Sequence, residues 1–89
     1  MTIARRVVVH GRVQGVFFRD TTRRRARDAG VAGWVRNTPD GAVEAWVEGE
    51  PEDVEVLVDF LGRGPSGAVV VDVKVEEREP EGLGGFEIR

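Results

Sequence analysis

The stretch at residues 11–19 constrains the fold of this chain most, because it joins a strand pattern to a helix pattern. Valines alternate with other residues before it, and small or apolar residues recur every three or four positions after it. Gly11 and Gly15 give the backbone freedom to turn, and Arg19 stands at the predicted start of the helix. The first N–H groups of a helix lack intrahelical acceptors, and the helix dipole places positive charge there. The stretch therefore predicts an anion-binding loop, with phosphate as the first candidate.

Arg19 strengthens the prediction of an anion site. A cation near the N-terminus of a helix opposes the helix dipole, so the helix alone does not favour it. The placement becomes reasonable when an anion binds between the guanidinium group and the helix, since the planar fork of donors fits phosphate oxygens. The loop matches neither the Walker A sequence nor the glycine fingerprint of dinucleotide-binding folds, so neither nucleotide motif supports the prediction.

The hydrophobic periodicity predicts seven elements in the order βαββαβ plus a short C-terminal strand. The predicted strands are residues 3–13, 33–37, 42–48, 69–76 and 86–88, and the predicted helices are residues 18–29 and a segment that opens at Pro51 and ends before Gly62. In the fourth strand, alternate valines from 69 to 75 are expected on one face, and residues 79–85 are expected to be an ordinary surface connection. The predicted fold class is α/β of the α+β type: a two-layer sandwich with a mixed, mainly antiparallel sheet and two helices on one face.

Composition limits the classes of function that remain. At 89 residues the chain is expected to form one domain over residues 1–89, and the absence of cysteine excludes disulfides and thiolate catalysis. No apolar run is long enough for a signal peptide or a membrane span, so a cytoplasmic location is expected. Residues 1–36 hold nine arginines and two acidic residues, whereas residues 37–89 hold four basic and fourteen acidic residues. Either the basic half serves an anionic ligand, or the two halves pair across the fold.

Asn37 is a second candidate functional residue, because it ends a predicted strand just before a Pro-Asp-Gly turn. Its amide can both donate and accept hydrogen bonds, so it could hold a water molecule, although it is a poor base. The competing interpretation is structural, since asparagine often begins turns.

The remaining polar and aromatic candidates favour structural roles. His10 is the lone histidine and is expected on the open side of the sheet, where by itself it cannot anchor a metal. Trp34 and Trp46 are expected to pack in the sheet. The acidic residues at 48–53 fit helix-start and solvent-facing positions better than a metal site, so no metal is expected there.

Residues 11–19 together with residues 33–38 closely resemble the two signature motifs of the acylphosphatase family. The first follows a strand that ends in His-Gly-Arg, and the second continues into the Pro39-Asp40-Gly41 turn. The resemblance extends to the loop at residues 64–66 and to the C-terminal residues 86–89. It covers essentially the whole chain.

This resemblance implies a ferredoxin-like sandwich with strand order 4-3-1-5-2, and hydrolysis of acyl phosphates to a carboxylate and inorganic phosphate without metal or cofactor. The enzyme is expected to be a monomer. The implied phosphate-binding residues are Gln14, Gly15, Val16, Phe17 and Phe18, through their backbone N–H groups, and Arg19 through its side chain. Asn37 is implied to position the attacking water, with Thr38 in support. Arg19 and Asn37 are thus the implied catalytic residues.

Two other functions remain open at this point. One is an RNA-binding module of the same fold, which requires aromatic side chains clustered on the open face of the sheet. The other is a non-catalytic or carbamoyl-phosphate-handling module of the kind found within larger proteins. The net charge of -3 argues against the first, because it does not attract a polyanion.

Overall fold

The computed structural model describes residues 1–89, which form seven elements in the predicted order. They are β1 (Ile3–Arg12), α1 (Phe18–Ala29), β2 (Ala32–Asn37), β3 (Val43–Gly49), α2 (Pro51–Arg63), β4 (Val69–Arg78) and β5 (Phe86–Ile88). Every predicted helix and strand is therefore present, and only the ends of some differ by one or two residues. Neither helix is long and apolar enough to cross a lipid bilayer.

The five strands lie in the order β4-β1-β3-β2-β5, so the expected order 4-3-1-5-2 is wrong. The crossover through α1 leaves a gap between β1 and β2, and β3 fills it by pairing antiparallel with both. The crossover through α2 then places β4 on the other side of β1, and β5 adds to β2 in parallel. β1 is consequently held on both sides, so the loop that follows it leaves from the interior of the sheet.

Both helices pack on one face of the sheet and enclose the core, as the two-layer prediction requires. In α1 the buried side chains are Phe18, Thr22 and Ala26, which matches the predicted stripe. The Thr22 hydroxyl donates to the Phe18 carbonyl oxygen at 2.7 Å, so this polar side chain is satisfied within its own helix. The core otherwise consists of aliphatic and phenylalanine side chains: Val7, Val9, Val13, Val31, Val35, Val43, Ala45, Val47, Val54, Leu57, Phe60, Leu61 and Phe86.

The alternation of β4 is interrupted by a bulge opposite β1. His10 pairs with Asp72 and Gly11 with Val70, so Val71 is the extra residue. One extra residue transfers every side chain beyond it to the opposite face of the sheet. A bulge of this kind has no marker in a run of valines, so the periodicity continued through it without a break.

The bulge makes the prediction for the fourth strand wrong. Val70 and Val73 pack against the core, whereas Val69 and Val71 are exposed. Gly11 accommodates the irregular pairing, because its φ is +135° and a Cβ atom there would lie 2.0 Å from the Val69 carbonyl oxygen. The glycine before the loop is therefore required by the close approach of β4.

Glu44 is buried on the sheet face opposite the helices, which we call the open face. Its carboxylate accepts hydrogen bonds from the Nε atoms of Arg6 and Arg36, each at 2.6 Å. Burial alone would raise the pKa of Glu44, but the bonds from Arg36 and Arg6 outweigh burial and lower the pKa. Arg6 also donates to Glu76 at 2.6 Å, so basic residues of the first half pair with acidic residues of the second half here.

Glu48 anchors the segment between β4 and β5, residues 79–85, where it meets the open face. Glu48 is 3% exposed. Its carboxylate accepts hydrogen bonds from the backbone N–H groups of Glu81 at 2.9 Å and Leu83 at 2.6 Å. It also accepts one from the Trp46 indole at 2.9 Å. Burial raises the pKa of Glu48, but these donors outweigh it and lower the pKa. The segment therefore runs over the surface as predicted, and Glu48 fixes it to the sheet.

We predict that Glu48→Gln lowers the free energy of unfolding by about 1–3 kcal/mol at pH 7, because a neutral amide replaces a buried acceptor of three hydrogen bonds. The pKa of Glu48 is lower in the folded chain, so its carboxylate stabilises fully above the unfolded pKa of about 4.3. That stabilisation is lost as the pH falls through the folded pKa. Denaturant unfolding should therefore show a smaller difference in the free energy of unfolding between wild type and variant at pH 3 than at pH 7.

Glu81→Gln is the matched control, because Glu81 lies in the same segment with its side chain exposed and outside every ion pair. Its backbone N–H still donates to Glu48 in the variant. Equal losses of stability in the two variants would contradict the anchoring role of Glu48.

Candidate functional site

The loop between β1 and α1 bends through two left-handed residues. Gly15 has φ +75° and Phe17 has φ +59°, with one residue between them. Left-handed residues alternating with ordinary ones turn successive backbone N–H groups toward the same side, and such a concave arrangement binds anions. A Cβ atom at Gly15 would meet no other atom within 4 Å, so its conformation rather than lack of space favours glycine there.

The N–H groups of this loop have no acceptor within the protein. No backbone N–H from Gln14 to Asp20 donates an intramolecular hydrogen bond, and the first that does is Thr21, to the Phe17 carbonyl oxygen at 3.0 Å. α1 also begins without a side-chain cap. The loop thus presents a row of unpaired donors at the positive end of a helix, as the sequence predicted.

Arg19 extends from the first turn of α1 beside these donors. The side chain is half-buried and takes part in no ion pair or hydrogen bond within the protein. It borders a hollow of about 320 Å³, which we call the loop hollow. The loop hollow is lined by Val13, Gly15, Phe17, Phe18, Arg19, Asp20, Asn37 and Ile88.

Asn37 reaches the same hollow from the end of β2. It pairs with Val43 of β3 at the start of the turn that joins the two strands. Its Oδ1 atom is buried and has no hydrogen-bond partner. A buried acceptor without a partner is costly, so its position beside Arg19 and the loop indicates a group that takes up a polar ligand. The two residues singled out from the sequence are therefore brought together by the fold.

The side chain of Gln14 does not line the loop hollow. Its Nε2 atom donates to the carbonyl oxygens of Thr38 and Ala42, both at 2.9 Å. Gln14 therefore ties the loop to the β2–β3 turn, next to Asn37, while its backbone N–H remains among the unpaired donors. The sequence indicated only the backbone role, because the tie joins residues that are distant in the chain.

The β2–β3 turn carries its own hydrogen bonds around Thr38. The Thr38 hydroxyl donates to the Asp40 carboxylate and accepts from the Ala42 N–H at 3.0 Å. The bond from Thr38 is the main cause that lowers the pKa of Asp40. His10 lies outside the hollow, with its Nε2 atom 3.5 Å from Asp40. Thr38 thus supports the turn that holds Asn37.

Two residues of the hollow had no signal in the sequence. Ile88 reaches the site because β5 pairs with β2, with Ile88 opposite Val35. Asp20 lies at the rim, where Arg23 holds its carboxylate at 2.8 Å. No group of three or more histidine, cysteine or acidic side chains is arranged to hold a metal ion.

A larger hollow of about 500 Å³ lies between the two helices, beside Leu57 and Phe60. Arg25 covers part of it, with its guanidinium carbon 4.4 Å from the centre of the Phe60 ring. This hollow has neither the unpaired N–H groups nor the buried Asn37 acceptor. We therefore place the candidate site in the loop hollow despite its smaller volume.

Comparison with known proteins identifies the fold and the family. The family model for acylphosphatase matches residues 5–88. An acylphosphatase from Haloarcula marismortui is 58% identical over 83 residues, which cover 93% of this chain and 91% of that protein. The structure of an acylphosphatase from Coxiella burnetii has a TM-score of 0.94 at 38% identity, covering 99% of this chain and 93% of that one.

A third similarity concerns part of a larger protein. The structure of full-length HypF in the phosphate- and nucleotide-bound form matches all of this chain with a TM-score of 0.89 at 28% identity, but the match spans 12% of HypF. The ferredoxin-like fold and the family resemblance predicted from the two motifs are confirmed by these comparisons. The chain belongs to the acylphosphatase family, whose enzymes hydrolyse the carboxyl-phosphate bond of acyl phosphates.

Proposed function

We propose that the enzyme hydrolyses acyl phosphates with the phosphoryl group bound in the loop hollow. Backbone N–H groups from Gln14 to Phe18 and the guanidinium group of Arg19 bind the phosphoryl oxygens, and Asn37 positions the attacking water. One observation carries this division of roles. The unpaired donors of the loop and the unpaired acceptor of Asn37 border the same hollow, so one group can hold an anion and the other a water.

The proposed reaction is direct attack of water on phosphorus. The water oxygen forms a bond to phosphorus as the bond to the acyl oxygen breaks, and its electron pair leaves with the carboxylate. A carboxylate is a good leaving group, so no general acid is required. Phosphoryl transfer passes through a loose transition state, in which positioning and charge stabilisation account for most of the catalysis. The water proton passes to a phosphoryl oxygen, because Asn37 is a poor base.

A covalent phosphoenzyme is the alternative route, and the lining of the loop hollow argues against it. The side chains there include no serine, cysteine or histidine. Asp20 is the one carboxylate at the rim, and Arg23 holds it at 2.8 Å. Water is therefore the nucleophile that the site accommodates best.

The RNA-binding alternative finds little support on the open face. Trp46 is buried and its indole donates to Glu48. Arg6 and Arg36 are engaged by Glu44, so their charges are offset. The other tryptophan of this face, Trp34, is covered by the Arg89 guanidinium group at 5.0 Å from its ring centre. The face therefore offers little of the stacking surface and free positive charge that bind single-stranded RNA.

The carbamoyl-phosphate alternative rests on the similarity to a small part of HypF. The chain is 58% identical to the Haloarcula acylphosphatase and 28% identical to the matching part of HypF, which favours hydrolysis of acyl phosphates. We further propose that residues 1–89 act as one catalytic domain, as a cytoplasmic monomer without metal or cofactor. Light scattering at several protein concentrations tests the monomeric state.

Gln14 is proposed to hold the loop between β1 and α1, which we call the phosphate loop, in position beside Asn37. It does so through its hydrogen bonds to the carbonyl oxygens of Thr38 and Ala42. We predict that Gln14→Glu lowers kcat for benzoyl phosphate about tenfold, because the variant loses both N–H donors and faces two carbonyl oxygens with a carboxylate. The free energy of unfolding should fall by about 1–3 kcal/mol. Turnover equal to that of wild type in a folded variant would contradict this positioning role.

The roles of Arg19 and Asn37 are separated by measuring turnover and phosphate binding together. We predict that Arg19→Ala lowers kcat/KM by on the order of 10²–10³ and abolishes inhibition by inorganic phosphate. Asn37→Ala should lower kcat strongly while its inhibition constant for phosphate stays within about twofold of wild type. Arg12→Ala is the matched control, because Arg12 is exposed at the start of the same loop and should leave both quantities unchanged. Equal loss of phosphate binding in the Arg19 and Asn37 variants would contradict the proposed roles.

Independence of metal ions is tested by prolonged incubation with a chelator, followed by assay of benzoyl phosphate hydrolysis. We expect the same kcat before and after treatment, because the groups proposed for charge stabilisation are N–H donors and a guanidinium. Activity that disappears with the chelator and returns with a divalent cation would overturn this part of the proposal.

A further inference from the structure

Another hollow, of about 650 Å³ and separate from the one of 500 Å³ described above, adjoins the loop hollow on the helix side of the molecule. We call it the arginine hollow, because its lining includes Phe17, Asp20, Arg24, Arg25, Arg63 and Ser66. Phe17 and Asp20 line both hollows. A molecule whose phosphoryl group lies in the loop hollow can therefore extend past Phe17 into the arginine hollow.

The loop after α2 packs against the phosphate loop and brings Arg63 to this position. Gly64 follows Arg63 with φ +73°, and a Cβ atom there would lie 2.9 Å from the Cε2 atom of Phe18. Only glycine permits this close approach with this backbone conformation. Gly67 lies on the same loop near Val16. The position of Arg63 is thus set by backbone packing against the candidate site.

The charges around the arginine hollow are unbalanced. Asp20 is the one acidic side chain in its lining; it is held by Arg23 at 2.8 Å and lies 4.0 Å from Arg24. Arg63 is exposed and has no ion pair. Arg25 packs on the Phe60 ring and adds a third positive charge. In a chain with a net charge of -3, this local excess of positive charge attracts an anion.

Helix electrostatics account for only part of this arrangement. Arg63 lies in the last turn of α2, where a cation is favourable for the dipole. Arg24 lies in the middle of α1 and gains no such benefit. Its one acidic neighbour, Asp20, is shared with Arg23, so positive charge from Arg24 stays available to a ligand in the hollow.

Phe17 stands at the boundary between the two hollows. It is the one non-glycine residue with a positive φ, and its ring is 81% exposed. A bulky residue in the left-handed region is strained, and exposing its ring removes no apolar surface from water. The conformation serves the phosphate loop, but the exposed ring has no partner in the fold. It offers an apolar wall for the carbon skeleton of a bound substrate.

We propose that the arginine hollow selects acyl phosphates whose acyl group carries a second anion, either a carboxylate or a phosphate. The acyl skeleton packs on Phe17, and Arg24 and Arg63 bind the distal anion. This inference rests on the proposed binding of the phosphoryl group in the loop hollow. It assigns the preference for a second anion to Arg24 and Arg63, which lie outside both family motifs.

The test compares two substrates that differ in one distant charge, benzoyl phosphate and 4-carboxybenzoyl phosphate. We expect Arg63→Glu to lower kcat/KM for the carboxylated substrate about threefold more than for benzoyl phosphate, and the Arg24→Glu/Arg63→Glu double variant about tenfold more. Phe17→Ala should raise KM for both substrates by similar factors. The preference of wild type for the carboxylated substrate should weaken in 0.5 M salt.

Arg78→Glu is the matched control, because it makes the same charge change at an exposed position where β4 pairs with Ala4 at the other end of β1. It should leave the ratio between the two substrates unchanged. Arg63→Gln, a milder change, keeps the test valid if the charge reversal prevents folding, and thermal unfolding of each variant identifies that case.

The outcomes distinguish this inference from the proposed function. If wild type hydrolyses neither substrate, the binding of acyl phosphates in the loop hollow fails. If wild type and all variants hydrolyse both substrates with one common ratio, the proposed function stands and the selectivity of the arginine hollow is overturned.

Discussion

The row of unpaired N–H groups between β1 and α1 is the constraint on which the rest of the site depends. Folding normally pairs backbone donors, and leaving several unpaired near the interior costs stability. Here the cost is confined to one loop, because β1 is held by strands on both sides and α1 is held by the core. The rigid elements at each end maintain a conformation that the loop would not adopt alone. Unpaired donors at a helix N-terminus are also the groups that bind anions, and the proposed phosphate site rests on them.

The charge asymmetry of the sequence is resolved in two different ways. On the open face, Arg6 and Arg36 meet Glu44, so positive charge from the first half of the chain is offset by negative charge from the second. Around the loop, Arg19 and Arg63 remain without acidic partners. Pairing across the fold is therefore confirmed for Arg6 and Arg36, whereas an anionic ligand stays a prediction for Arg19. The fold separates a structural set from a set available to ligands.

Local patterns in the sequence were sufficient for the elements, and they singled out Arg19 and Asn37, which the fold places at one hollow. The stripe of α1 predicted its bounds, and the strand-to-helix junction predicted the loop donors, because both signals depend on neighbours in the chain. The strand order, the bulge at Val71 and the second role of Gln14 could not be predicted in this way. Each depends on a partner brought close only by the complete fold. Glu48 is a similar case, since nothing in its local sequence identifies Glu81 and Leu83 as its donors.

The crossing of residues 79–85 from one edge of the sheet to the other also has a consequence for the order of folding. β5 pairs only with β2, and its contacts join residues that are far apart in the chain. Contacts of long sequence separation are costly in loop-closure entropy and form late in small domains. Because Ile88 of β5 lines the loop hollow, one wall of the site is added with the last strand. A chain emerging from synthesis would therefore acquire a complete site only when its C-terminal residues have docked.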